Sequence, residues 1–293
     1  MKDFEFHSPG TISEACELLK KYKGSVHVLA GGTDLIPKIY HKMITPEHVV
    51  NLKKIPGLKE ITFDQNSGLT LGTLVRFNDI IYSEIVQKTH NILIEVSKDI
   101  ASHQVRNLAT IGGNLCNAAP SADSAPVLIA LDSNVNIKGT NNSQRTIKLE
   151  QFFTGPGTTA LMDGEILTKI LVPTIKPRTG VAYIKHTTRK ALEIAVVGVA
   201  GLIQLEENLE KCINSRLIVG SCAPTPLRMI EAEEELTGKK IYERNFENAA
   251  VKAVAAVRPI SDVRGGEDYR RAMVKVLTKR VLDEAFKRAK EAK

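Results

Sequence analysis

The sequence contains no tryptophan, and aromatic residues make up only 5% of it. With no zinc-finger, basic-zipper or aromatic-rich sheet motif either, nucleic acid is not an expected partner. Its four cysteines, Cys16, Cys116, Cys212 and Cys222, stand far apart without a C-x-x-C pair. That spacing argues against a disulfide framework and against a self-contained zinc or iron–sulfur centre, so any such centre would have to come from a partner. No apolar run reaches about 18 residues, which excludes a transmembrane helix of ordinary length. The opening residues "MKDFEFHSPG" carry acids where a signal peptide needs an apolar core, so a cytoplasmic location is expected. The G-x-x-x-x-G-K-[ST], H-E-x-x-H and G-x-S-x-G patterns are missing, and with them the usual signs of phosphoryl transfer, zinc hydrolysis and elbow-serine chemistry. Seven histidines, His7, His27, His41, His48, His90, His103 and His186, are scattered without ligand spacing. No metal site is expected.

What is present describes an ordered globular chain. Its 293 residues are 43% hydrophobic and 25% charged, a size that favours two domains or one divided into lobes. The net charge of +7 is weighted towards the end, "RRAMVKVLTKRVLDEAFKRAKEAK". There Met273, Val274, Val276, Leu277, Val281, Leu282 and Phe286 approximate a helical stripe with the charges opposite. The basic face is either a solvated helix surface or a contact for an acidic partner or, as the minor reading, nucleic acid.

Residues 1–55 alternate strand and helix. "KDFEFH", "SVHVLA" and "HVVNL" read as strands, while "TISEACELLKKY" reads as a helix with Thr11 and Glu14 at capping-box spacing. A small parallel layer follows from that order. Residues 56–175 mix short strands and helices, and "PTIKPRTG" is the best linker. From 176 to 293, three strands of an antiparallel meander precede three helices. "GPGTTA", at 155–160, imitates a dinucleotide fingerprint but lacks its βαβ frame and reads as a loop.

Two segments share one chemistry, "LAGGTDLIP" at 29–37 and "ATIGGNLCNAAP" at 109–120. In the first, a strand ends in Gly31-Gly32 and a helix begins near Thr33 or Asp34, so free N–H groups and a positive helix end converge. This is either a phosphate cradle or an ordinary turn capped by Thr33 or Asp34. The second runs through paired glycines into a small-residue stretch and Asp123. It looks too irregular for a helix and able to lie flat against a planar ligand, with Asp123 either a helix cap or a ligand contact. Cys116 reads as a small buried hydrophobe.

These motifs resemble the FAD-binding, or medium, subunits of the molybdenum hydroxylases, the xanthine dehydrogenase and carbon monoxide dehydrogenase group. "LAGGTDLIP" is similar to that family's first pyrophosphate loop and "QVRNLATIGGNLCNAAPSADSAPVLIALD" to its second flavin segment. "RKALEIAVV" and "SDVRGGEDYRRAM" are similar to its C-terminal motifs, in the same order. The resemblance implies an α+β fold: a two-lobed FAD-binding domain of the vanillyl-alcohol oxidase (PCMH) type, then a domain with a three-stranded antiparallel sheet and a helical bundle. By position it places Leu29, Ala30, Gly31, Gly32, Thr33, Asp34, Leu35 and Ile36 around the FAD pyrophosphate. Thr110, Ile111, Gly112, Gly113 and Asn114 would approach the pyrophosphate and isoalloxazine, and Asp123 would hold a polar group of the cofactor. Ile100, Ala101, Leu167 and Lys185 would complete the cleft, Lys185 being otherwise a solvated strand lysine.

The resemblance further implies non-covalent FAD and electron relay, with catalysis left to partners. Those partners are a large molybdenum-cofactor subunit and a small subunit with [2Fe–2S] clusters, as a dimer of heterotrimers that passes electrons to NAD, a quinone or oxygen. Two alternatives share the fold: a nucleotide-binding or regulatory module without FAD, and a self-sufficient flavin oxidase.

Overall fold

The computed structural model describes residues 3–189 and 192–292. Lys190 and Ala191, inside the "RKALEIAVV" motif, lie outside the described residues.

Strands Glu5–His7, Val26–Leu29 and His48–Asn51 form a parallel sheet in the order first, third, second. Helix Ile12–Lys21 crosses between the first two and buries Ala15, Cys16 and Leu19. Thr11 caps it by accepting from Glu14 N–H, but the Glu14 carboxylate reaches back to Gly10 N–H rather than to Thr11. Helix Leu35–Tyr40 leaves the second strand with Pro37 in its first turn, where no amide is needed.

The second lobe holds a five-stranded sheet, Ile61–Asp64, Gly68–Gly72, Ile166–Val172, Asn134–Lys138 and Gln144–Lys148, with every pairing antiparallel. Helices Phe77–Ile81, Glu84–Thr89 and Asn91–Lys98 precede the second glycine segment. That segment is more regular than its composition implies, since Ile111–Asn117 is a short helix; a turn then joins it to the helix expected over "APVLIALD", which runs Ser124–Ala130. Thr110 supplies the missing order, its hydroxyl accepting from Gly113 N–H at 3.1 Å as an N-cap. Ala118, with φ +46°, ends the first of these helices. "GPGTTA" forms the turn and second strand of a tight hairpin, Phe153–Gly155 with Thr158–Thr159.

The C-terminal sheet has four strands rather than three: Thr179–His186, Val197–Leu205, Cys212–Gly220 and a short fourth, Leu227–Arg228. Both faces are covered. Val181, Ala200, Leu202 and Ile218 join the core that includes helix Ser124–Ala130, all of whose residues are buried. The alternate residues Ala182, Val199, Ile203 and Val219 pack with helices Glu243–Ala256 and Glu267–Glu291. Burial on both faces explains why "VGVAGLIQL" shows no polar alternation.

The long helix Glu267–Glu291 buries Val274, Leu277, Val281 and Leu282 as expected, whereas Val276 is exposed. A charged residue takes part in that packing. The Arg270 guanidinium donates to the carbonyls of Val196 and Ser221 and to Asp262, at 2.7, 3.1 and 2.7 Å.

Candidate functional site

A cleft of about 760 Å³ opens where the first glycine segment, the second and the edge of the C-terminal sheet converge. Its volume suits a cofactor-sized ligand. Fifteen of the expected residues line it: Ala30 to Leu35, Ile100, Ala101, Thr110, Gly112 to Asn114, Asp123, Leu167 and Lys185. The structure leaves Leu29, Ile36 and Ile111 out of the wall. Leu29 closes a strand, Ile36 turns outward to 47% exposure on its helix, and Ile111 is buried in the core.

The two glycine segments play different parts. Among the described residues, the amides of Gly31, Gly32, Thr33 and Asp34 donate to no protein acceptor. Asp34 occupies the N-cap position of helix Leu35–Tyr40 but its side chain makes no capping bond. Four consecutive free N–H groups beside a helix start form an anion cradle. In the second segment the amides are spent internally: Ile111 on Val75 O, Gly112 on Thr73 O, Gly113 on Thr110 Oγ1 and Asn114 on Thr110 O. It therefore offers shape and side chains rather than amides.

Glycine is required where the segments meet. A Cβ on Gly31 would stand 2.2 Å from the carbonyl oxygen of Leu108, a backbone atom, and Gly32 adopts φ +84°. The two segments are also tied through Asn117, which accepts from Lys38 Nζ at 2.8 Å and donates to Asp34 Oδ1 at 3.1 Å. Lys38 thus carries a positive charge to the cradle's rim.

On the opposite wall, Asp123 stands at the N-cap position of helix Ser124–Ala130 yet makes no capping bond. Its carboxylate instead accepts from Tyr183 OH and from Lys185 Nζ, both at 2.8 Å. Lys185 also donates to the Asp99 carbonyl at 3.0 Å, so it is not a solvated strand lysine; its side chain is 8% exposed. Burial pushes the Asp123 carboxyl above its ordinary value, against the pull of Lys185 and Tyr183. The same burial raises the Tyr183 hydroxyl well above the usual tyrosine range.

Leu167 sits at a register shift in strand Ile166–Val172, and such bulges re-aim side chains beside binding sites. Nearby, Glu165 lines the cleft while its carboxylate accepts from Arg145 Nε and Nη2 at 2.8 and 2.7 Å and from Met162 N–H at 2.8 Å. That pairing holds the Glu165 carboxyl below the usual range. Cys116 borders the cleft half-buried, its thiol pushed up to about 12 by burial.

Sequence reading missed Lys38, Tyr183, Glu165 and Gly157. Lys38 could have been found four residues past Asp34 on the same helix. Tyr183 lies two residues before Lys185 and so faces the same side of its strand. Nothing local marks Glu165 or Gly157. Gly157, from the hairpin turn, reaches the cleft because its amide bonds Ala118 O at 3.0 Å.

Residues 2–175 match the family described as the FAD binding domain in molybdopterin dehydrogenase, and residues 182–285 match the CO dehydrogenase flavoprotein C-terminal domain. The chain is 34% identical over 285 residues to the carbon monoxide dehydrogenase medium chain of Hydrogenophaga pseudoflava, covering 97% of this chain and 98% of that one. It is 31% identical over 287 residues to the xanthine dehydrogenase FAD-binding subunit of Escherichia coli O157:H7, covering 97% of each. The solved carbon monoxide dehydrogenase from Hydrogenophaga pseudoflava, lacking the Mo-pyranopterin moiety of its cofactor, superposes with a TM-score of 0.94 at 34% identity over 98% of both chains. Quinoline 2-oxidoreductase from Pseudomonas putida 86 superposes with a TM-score of 0.90 at 26% identity over 99% of both. Sequence and fold agree from end to end, and the chain belongs to the FAD-binding medium subunits of the molybdenum hydroxylases, the group of carbon monoxide dehydrogenase and xanthine dehydrogenase.

Proposed function

We propose that this cleft holds non-covalent FAD and that the subunit relays electrons within a complex containing a large molybdenum-cofactor subunit and a small [2Fe–2S] subunit, assembled as a dimer of heterotrimers. The single observation that carries the binding site is the row of four unpaired amides at Gly31 to Asp34. Flavin pyrophosphate is dianionic, and an unspent donor row beside a helix start is complementary to it.

The redox chemistry, electron passage from partner clusters to an external acceptor such as NAD, a quinone or oxygen, is supplied by the flavin when bound. The chain's own residues bind and orient. Gly31 to Asp34 and Lys38 hold the pyrophosphate, and Thr110, Gly113 and Asn114 supply the wall across from them. Ser124 Oγ donates to Asn114 Oδ1 at 2.7 Å, fixing that side chain. Ile100, Ala101 and Leu167 make the apolar part of the cleft that excludes water, while Lys185, locked to Asp123, presents a fixed charge at its far side. The three-part division at 1–55, 56–175 and 176–293 follows the three main sheets, although the hydrophobic clusters cross its boundaries: Leu58, Leu74 and Ile166 pack with the first lobe, and Val181, Ala200, Leu202 and Ile218 with the second.

The test is the visible absorption spectrum of the purified chain after incubation with FAD and desalting. Gly113→Val and Ser121→Trp serve as variants that fill the cleft, and circular dichroism serves as the check on folding. Retained flavin in the parent and its loss in a folded variant are expected. A folded parent that stays colourless, alone and when co-expressed with its partner subunits, would overturn the reading. Substrate turnover by the isolated flavin-loaded chain would instead make it a self-sufficient oxidase.

A further inference from the structure

The parallel sheet carries a second cluster of chemistry away from the cleft. Glu5 and His7 alternate on the first strand and so share one face, and His48 pairs directly with Glu5 from the adjacent strand. His7 Nε2 and His48 Nδ1 lie 3.2 Å apart, and Glu5 Oε2 is 3.5 Å from the first and 3.1 Å from the second. Among the described residues, no other trio of His, Cys, Asp or Glu gathers its ligand atoms so closely.

We infer that Glu5, His7 and His48 form a binding site for a divalent transition-metal cation of the zinc type. A tetrahedral ion about 2.0–2.1 Å from each ligand separates the ligand atoms by roughly 3.3–3.4 Å, close to all three sides of this triangle. Two imidazoles with one carboxylate select first-row transition ions over magnesium or calcium, which prefer all-oxygen shells. The strands hold both rings, whose side chains are 19% and 15% exposed, and Tyr22 stacks on His48 with centroids 3.6 Å apart. Glu5, 66% exposed, leaves an entry path and a side open to water. Lys21 sits at the surface beside this aromatic stack, with its Nζ 4.8 Å from the Tyr22 ring.

The site is separate from the flavin. His48 pairs with Val26 at the start of its strand, whereas the glycine segment follows Leu29, three residues or roughly 10 Å along. None of the three ligands lines the cleft. A bound ion would staple the first strand to the third. The scattered histidines showed no ligand spacing because their convergence crosses strands 41 residues apart in sequence.

The test is zinc titration of the full, tag-free chain against a chromogenic zinc chelator. His48→Asn, His7→Gln and Glu5→Gln remove ligands, and His41→Asn, an exposed histidine elsewhere, is the control. One equivalent bound by the parent and the control is expected, with affinity about tenfold or more weaker in each ligand variant, since loss of an outer-shell partner alone costs that much. Magnesium in excess does not compete. Melting curves without metal establish that each variant is folded; Glu5→Gln, at an exposed site, keeps the comparison available if a histidine variant misfolds. A parent that binds no zinc stoichiometrically, or ligand variants that bind as tightly as the parent, would show a hydrogen-bonded His–His pair only and overturn the site.

Discussion

Lys185 Nζ lies 2.8 Å from Asp123 Oδ2, joining the first strand of the C-terminal sheet to the start of helix Ser124–Ala130. The pair is nearly fully buried and belongs to both halves of the molecule, so it couples the cleft wall to the domain that closes it. Lys185→Met leaves the carboxylate with Tyr183 alone. A loss of roughly 3–5 kcal/mol in denaturant unfolding is expected, as for other buried pairs stripped of one partner. Burial already raises Asp123, and removing the ammonium raises it further. A carboxyl raised in the folded state contributes stability below its unfolded value, and that stability is lost as pH rises through the folded one. The variant is therefore expected to fall further behind the parent from acid to neutral pH; a pH-independent difference would refute the account.

Gly31 and Leu108 make the corresponding contact between the glycine segments. Gly31→Ala forces its Cβ against a backbone carbonyl and is expected to destabilise the chain by about 1–3 kcal/mol and to release FAD on desalting. Gly10→Ala, whose Cβ meets nothing within 4 Å, is expected to change neither. Equal melting temperatures for the two variants would refute the contact.

The Arg145–Glu165 fork gives stability of the opposite pH sense. Glu165 is held below the ordinary carboxyl value chiefly by its bonds to Arg145. A depressed carboxyl contributes stability above its unfolded value, and this is lost as pH falls through the folded one. Arg145→Met is expected to narrow the gap to the parent as pH drops below the usual carboxylate range, measured by thermal melts between neutral and acid pH.

All four thiols are pushed up by burial, Cys116 to about 12 and Cys16, Cys212 and Cys222 to about 11. Because the thiolate is the reactive form, brief iodoacetamide treatment at neutral pH is expected to modify none of them in the folded chain and all four in denaturant. Mass spectrometry reads the count, and rapid labelling of Cys116 would show that its thiol is more open than the structure has it.

Much of this architecture is legible in one dimension. Hydrophobic periodicity shows the parallel layer, the meander and the closing helices, because burial of one face leaves a period of 2 or 3.6 in the chain. The glycine pairs mark the cradle, since only glycine tolerates Gly32's positive φ and Gly31's approach to Leu108. The family follows from those motifs in order. Composition alone misjudged the "ATIGGNLCNAAPSADSAP" stretch, where the Thr110 cap and the bonds to Thr73 and Val75 hold a helix that small residues would not form unaided. The fourth strand of the last sheet escaped because two residues carry no period.

What tertiary structure alone decided are the pairings between distant segments. Asp123 meets Lys185 rather than capping its helix, Glu165 and Gly157 reach the cleft, and His7 meets His48, each through sheet register or loop contact. Local sequence records which face of an element is buried, because neighbours along the chain share that burial. It carries no record of which distant residue stands opposite, because that follows from how strands are ordered and how layers stack.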